Sequence, residues 1–370
     1  MVHELRQKIL ILSIGYGQGH HSAASALEEY YAAEGWETRV IDVCELAQPW
    51  LFRLTQLFYG FCVRKAPWMW GITYSLTDTA DWSILVRSPI LRRVVECLRE
   101  ELCAYNPCLV VCTYPLFAYM LDYLLDNGVP VPPYAVLVTD ALEISRPWMR
   151  SRSSFVMVPD EESCRMVMER YALSCDEVAV TGFPVRKAFV PWVGRPYPGV
   201  DGFKVVYGAY RQTEGVLNDV RALMLAFPQL RMTVIAAERE AVLRRHLCAY
   251  CAEGRLEIVE STSSMHQLLA ESHFYIGKAG AATMFECYAA NVPVLVNFTL
   301  PGQERGNLDL LLRDGAGCHI ESTSHLVAMI SSLLYDDAAG WKCLSEAMKK
   351  AARSGGAERV AWALKRKYGL

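Results

Sequence analysis

Three glycines, Gly15, Gly17 and Gly19, stand between an aliphatic run at 9–12 and a pair of histidines, His20 and His21. An imidazole placed just beyond such a turn can take a proton from a substrate hydroxyl near neutral pH, because its ordinary pKa is about 6.5. Chain position narrows the choice, since His3, His20 and His21 are the only histidines before His246. His3 precedes the first strand, so His20 is the candidate base, and its neighbour His21 points elsewhere. Glycines permit left-handed backbone and close approach, and the helix that follows turns its first amides toward an anion, which makes Gly17 and Gly19 phosphate-turn candidates. The spacing Gly-x-Gly-x-Gly lacks the third-glycine position of redox dinucleotide sites. A plain strand-turn-helix whose histidines cap or face solvent stays open on these residues alone.

Residues 274–286, FYIGKAGAATMFE, repeat the pattern of strand, glycine turn and helix. Here the turn residues are small, so after Gly280 the amides of Ala281, Ala282 and Thr283 can face a diphosphate at the helix N-terminus. Glu286 follows about one turn later, where a carboxylate can take both hydroxyls of a ribose; an exposed helix glutamate beside an ordinary loop is the alternative. Further on, Gln303, Glu304 and Asn307 bring amide and carboxylate groups to the carboxyl end of the next strand.

The elements that must hold these groups alternate regularly. Strands are expected at 8–14, 37–42, 108–113, 133–139, 154–158 and 177–181, with helices at 22–34, 116–127 and 161–172 and helical material at 48–75 and 83–104 between them. Proline and glycine crowd the stretch 184–201, which reads as a linker. The rhythm then resumes, with strands at 203–208, 231–236, 255–259, 273–277 and 292–296 and helices at 214–226, 238–251, 264–270, 282–289 and 304–313. Alternation of this kind predicts an α/β protein of two Rossmann-like domains, 1–190 and 191–345, each with a parallel sheet. In open sheets of this type ligands sit at the carboxyl ends of the strands, where both glycine turns fall.

The 370 residues suffice for two buried cores, and a net charge of −3 gives no argument for nucleic acid as a partner. Thirteen scattered cysteines include one CxxC, Cys248 with Cys251, and no second pair to complete a metal site. We read them as reduced thiols of a cytoplasmic protein that lacks a secretory leader and any uninterrupted apolar run of the ~20 residues a membrane span needs. Trp50, Phe52, Arg64, Lys65, Trp68 and Trp70 lie in a segment that mixes aromatic and basic side chains, a composition suited to a bilayer interface. An amphipathic helix docked on its own sheet would read the same way.

The segment KAGAATMFECYAANVPVLVNFTLPGQERGN resembles the donor-binding segment of the monogalactosyldiacylglycerol synthases and processive diacylglycerol glucosyltransferases. More distantly it is similar to the peptidoglycan N-acetylglucosaminyltransferase of the same GT-B superfamily. GYGQGHHSAASAL resembles the family's amino-terminal Gly-Gly-Gly-His segment, and Thr113-Tyr114-Pro115, Thr139-Asp140, Trp148 and Gly182-Phe183-Pro184 match in order. The resemblance implies two Rossmann-like domains facing across a cleft, with the carboxyl-terminal helix in 346–370 returning to the first. It makes His20 the base, Gly280, Ala281 and Thr283 the phosphate loop, Glu286 the ribose partner, and Gln303 and Glu304, with Asn307, the sugar contacts. Gly208 stands where the family carries a second glycine-rich phosphate turn. The implied reaction is inverting transfer of a hexose from a UDP-sugar to a diacylglycerol-like lipid, without a metal or other cofactor, by an enzyme peripheral on an anionic membrane at the inner face of the cell. N-acetylglucosaminyl transfer to a polyprenyl-linked acceptor, a UDP-N-acetylglucosamine 2-epimerase and a non-catalytic nucleotide-sugar-binding regulator are the alternatives.

Overall fold

The computed structural model describes residues 7–16, 19–149, 151–152, 155–189, 202–302, 304–351, 353 and 355–370, the side chains of 63–65 and 67 excepted. The first sheet is built from β1 (Lys8–Leu12), β2 (Glu37–Ile41), β3 (Leu109–Cys112), β4 (Tyr134–Leu137), β5 (Val156–Val158) and β6 (Val178–Val180). Its order is β2-β1-β3-β4-β5-β6, parallel throughout. The second sheet contains β7 (Phe203–Gly208), β8 (Leu230–Ile235), β9 (Leu256–Val259), β10 (Phe274–Lys278), β11 (Val294–Phe298) and β12 (Gly317–His319). Its order, β12-β11-β10-β7-β8-β9, is also parallel throughout.

Helices cover the sheets, which is why central strands such as Leu109–Cys112 and Tyr134–Leu137 are apolar and buried at every position. Each fully buried aliphatic side chain contributes roughly 1.5–3 kcal/mol of transfer free energy. Met1–Arg186 and Ser354–Leu370 form one compact unit, and Lys187–Arg353 form the other. The chain therefore re-enters the first unit after the helix Thr323–Ala351, later than the 346 read from the sequence. The last helix, Gly356–Tyr368, is held there by the Arg359 guanidinium donating to the Thr181 carbonyl at 2.8 Å and by the Tyr368 hydroxyl donating to the Tyr134 carbonyl at 2.8 Å.

Several boundaries differ from expectation for local reasons. The helical stretch expected at 48–75 breaks into Pro49–Lys65 and Pro67–Thr79, because Ala66 precedes a proline and leaves the helical region at φ −142°, ψ 64°. The helix expected at 238–251 becomes a short turn and two short helices, interrupted at Leu247 with φ −124°. The first helix starts at Gly19, so both histidines lie inside its first turn.

Candidate active site

Each unit carries one half of the sequence-predicted site, at the place its own topology makes available. In the first sheet the chain leaves β1 for β2 on one side and returns to β3 on the other, so the crevice lies at the carboxyl ends of β1 and β3. His20 enters from the helix after β1, Thr113 and Tyr114 directly follow β3, and Thr139 follows β4. His20 is buried, with Nδ1 2.7 Å from the Thr113 carbonyl oxygen and 3.1 Å from Thr139 Oγ1. A carbonyl can only accept, so Nδ1 carries the proton and Nε2 keeps a lone pair for a substrate proton. The Tyr114 ring stands edge-on at 5.1 Å and the Trp148 ring at 6.2 Å. Segments read separately in the sequence thus meet around one imidazole.

The ordinary pKa assumed from the sequence does not apply here. Burial pushes the His20 pKa down to about 4, the Thr113 carbonyl works the other way, and His21 lowers it slightly further. The ring is consequently neutral at pH 7, the form that accepts a proton. His21 turns to the strand exit, its Nδ1 3.1 Å from Ser13 Oγ. Asp42, which the sequence reading missed, holds this turn: its carboxylate accepts from the Gly15 amide at 3.0 Å and from the amides of Cys44 and Glu45. The legible signal was an aspartate at the end of β2 before a helix, the pattern of an N-cap. Gly19 has open space where a Cβ would stand, and Gly17 lies outside the described residues.

In the second sheet the reversal lies between β7 and β10, so the turns carrying Gly208 and Gly280 face the same crevice. Gly280 is the N-cap of the helix Ala281–Ala290, with an ordinary φ of −71°. A Cβ there would stand 3.1 Å from Lys278 Cε and 3.4 Å from its Nζ, so the lysine side chain passes close over the cap. Glu286 is 7% exposed, which removes the alternative of a solvated helix glutamate. Ala281 and Ala282 are buried and Thr283 is half-buried. Glu304 is buried; its Oε1 pairs with Lys278 Nζ at 2.6 Å and its Oε2 accepts from the Leu300 amide at 2.9 Å. Asn307, 1% exposed, donates to the Ala279 carbonyl at 3.0 Å and so holds the glycine turn from behind. Gln303 lies outside the described residues.

At Gly208 a Cβ would approach the Tyr210 ring to 2.7 Å and the Tyr275 hydroxyl to 2.8 Å. In place of further glycines, the loop that follows is fastened by side chains. The Arg211 guanidinium donates to both oxygens of fully buried Asp219 at 2.8 Å, and Arg239 donates to the Ala209 and Arg211 carbonyls. Asp219 also accepts from the hydroxyls of Tyr207 at 2.7 Å and Thr323 at 2.6 Å. Tandem glycines were the signal sought in the sequence, so this polar clamp passed unread. Among the described residues no group of three or more His, Cys, Asp or Glu side chains is placed to hold a metal ion.

The interface candidates divide. Trp50 and Trp68 are 71% and 66% exposed, and Leu54, Leu57, Phe58 and Phe61 continue the Trp50 stripe at helical spacing. Ile72 and Leu76 do the same after Trp68. Trp70 is half-buried, its ring 4.7 Å from that of Tyr59. Phe52 is corrected: at 4% exposure it faces inward, against Tyr16 at 5.3 Å, because it falls on the face of its helix opposite Trp50. The side chains of Arg64 and Lys65 lie outside the described residues. No described helix is long and apolar enough to cross a membrane.

Two parallel α/β units with these sheet orders have the GT-B fold. Solved structures with that fold include the S. aureus MnaA–UDP co-structure, with a TM-score of 0.63 and 14% identity over 98% of this chain and 97% of that one. A. baumannii MurG aligns with a TM-score of 0.57 and 12% identity over 97% of this chain and 99% of that one. Residues 20–185 match the sequence model of the monogalactosyldiacylglycerol (MGDG) synthase family. The chain is 25% identical to a processive diacylglycerol beta-glucosyltransferase of Bacillus cereus strain B4264, covering 89% of this chain and 86% of that protein. A processive diacylglycerol beta-glucosyltransferase of Bacillus thuringiensis strain Al Hakam is 26% identical, over 95% and 92%. The family resemblance read from the sequence therefore holds: this chain is similar to the diacylglycerol glycosyltransferases of the MGDG synthase type.

Proposed function

We propose that the protein transfers a hexose from a UDP-sugar to a diacylglycerol-like lipid with inversion at the anomeric carbon, and that His20 is the base. The observation that carries this reading is the tautomer of His20, whose Nδ1–H is committed to the Thr113 carbonyl and whose Nε2 is thereby the proton acceptor at the strand edge. The acceptor hydroxyl oxygen forms the new bond to the anomeric carbon, its proton passes to Nε2, and the sugar–phosphate bond breaks with UDP leaving. The charge growing on the diphosphate is met by the first amides of the helix Ala281–Ala290, so the reading routes no step through a metal. Glu286 takes the ribose hydroxyls, and Gln303 and Glu304 the sugar.

The exposed apolar stripes of Pro49–Lys65 and Pro67–Thr79 support contact with the lipid surface that holds the acceptor, on the cytoplasmic face of the membrane. A donor screen by thermal shift, followed by mass analysis of lipids incubated with the best donor, tests the reaction. His20→Ala is expected to lose transfer by about 10²–10⁴ in rate and keep UDP affinity, while His21→Ala stays active. Transfer by His20→Ala within a few-fold of wild type would remove the base.

The fold also favours a second reading, since solved GT-B structures similar to this chain include a putative UDP-N-acetylglucosamine 2-epimerase of Listeria monocytogenes, with a TM-score of 0.64 and 13% identity over 98% of this chain and 97% of that one. Sugar conversion with no lipid present would select it. Transfer of N-acetylglucosamine to a polyprenyl-linked acceptor would show in the same lipid analysis, and nucleotide-sugar binding without any turnover would identify a regulator.

A further inference from the structure

We propose that Lys278 is the cation that neutralises the donor diphosphate, and that Glu304 competes with the diphosphate for it. The inference rests on the nucleotide-sugar reading and assigns a residue which that reading leaves idle. Lys278 ends β10, at a break in the ladder with β11: Gly277 pairs with Val296 but Lys278 pairs with Phe298, so Asn297 is the extra residue of a bulge. Bulges re-aim the side chains beside them. Here the ammonium is carried across the N-cap of the helix Ala281–Ala290, where a Cβ at 280 would stand 3.4 Å from Nζ.

The surroundings are those of a charge site. Lys278 Nζ lies 2.6 Å from Glu304 Oε1 and 5.2 Å from the centre of the Tyr210 ring, which belongs to the loop after β7. The ammonium therefore stands between the two strand-end turns where the sheet reverses. Asn297 Oδ1, on the same bulge, is buried in a residue 9% exposed and has no hydrogen-bond partner among the described residues. A buried acceptor without a donor is costly in a ligand-free protein and marks a place where a ligand donor fits.

The physical demand for a cation follows from the altered first turn. The loop after β7 is closed by Arg211, whose guanidinium is bound to Asp219. It offers none of the successive glycine amides that cradle a phosphate, and helix amides supply only a partial positive charge. A lysine ammonium supplies a full charge beside them. In the unliganded protein Glu304 neutralises that ammonium. When the diphosphate enters, the carboxylate is a like charge next to it and is displaced toward the sugar hydroxyls.

The two residues must then act in opposite directions on UDP, which carries no sugar for Glu304 to hold. Calorimetry should show Lys278→Met losing at least tenfold in UDP affinity and Glu304→Gln gaining several-fold. Uridine, which has no phosphate, should bind both variants within about twofold of wild type. The double variant Lys278→Met/Glu304→Gln avoids leaving a buried carboxylate unpaired and should bind UDP as weakly as Lys278→Met. A purely structural ion pair would weaken UDP and uridine alike in both single variants, and that pattern overturns the inference. Unchanged UDP affinity in the folded double variant overturns it as well while leaving the nucleotide-sugar reading intact; a wild-type protein that binds neither UDP nor inorganic pyrophosphate removes both.

Discussion

At His20 burial changes what the residue type alone suggests. The unfolded chain protonates this histidine near pH 6.5, whereas the folded protein resists protonation until about pH 4, so between these values the unfolded state binds more protons and stability rises with pH. Stability should accordingly fall as the pH drops from about 6.5 to about 4, by on the order of 3 kcal/mol, and His20→Asn should lack that part of the slope. Urea titrations at pH 7.0, 5.5 and 4.5 on both proteins check it; parallel curves would mean the folded state tolerates the charged ring. Glu286 poses the complementary case of a buried carboxylate on a helix beside the glycine turn. Glu286→Ala should weaken UDP binding by roughly 1–3 kcal/mol, the range for a lost charged hydrogen bond. Unchanged calorimetric affinity in a folded variant would exclude the ribose contact.

The helices Pro49–Lys65 and Pro67–Thr79 turn their apolar stripes outward and their mixed faces inward. Inward, Gln56 donates to the Gly15 carbonyl at 3.1 Å and the Tyr16 hydroxyl lies 2.7 Å from Thr55 Oγ1, so the element that carries the stripe also braces the turn before His20. Trp50→Ser with Trp68→Ser should abolish cosedimentation with anionic vesicles and leave the melting temperature within a few degrees, since both rings are exposed. Binding by wild type should decline as salt rises, because charge attraction is screened. Full binding by the double variant would show that another surface meets the bilayer.

In the whole molecule the last helix completes the first unit. Its opening residue, Gly356, lies so close to Phe183 that a Cβ would stand 2.1 Å from the Phe183 carbonyl oxygen. Backbone cannot yield as a flexible side chain can, so Gly356→Val should destabilise the first unit by about 1–3 kcal/mol or more. Denaturation followed by tryptophan fluorescence, with proteolysis of the carboxyl-terminal segment, checks this; wild-type stability would mean the helix can be re-seated without loss.

The amino-acid sequence by itself determined the alternation of strands and helices, the two glycine turns and the placing of His20, Gly280 and Glu286 beside them. These follow from contiguous patterns: aliphatic runs covered on both faces, glycines after them, and helical periodicity beyond. Tertiary structure decided what depends on distant parts of the chain. It paired His20 Nδ1 with a carbonyl 93 residues away and set its protonation by burial. It turned Phe52 inward while Trp50 stayed exposed, and joined Lys278 to Glu304 across two strand ends. Residue type and spacing specify which groups reach a sheet edge; the dielectric around them, and the partner each one finds, exist only once the strands are ordered.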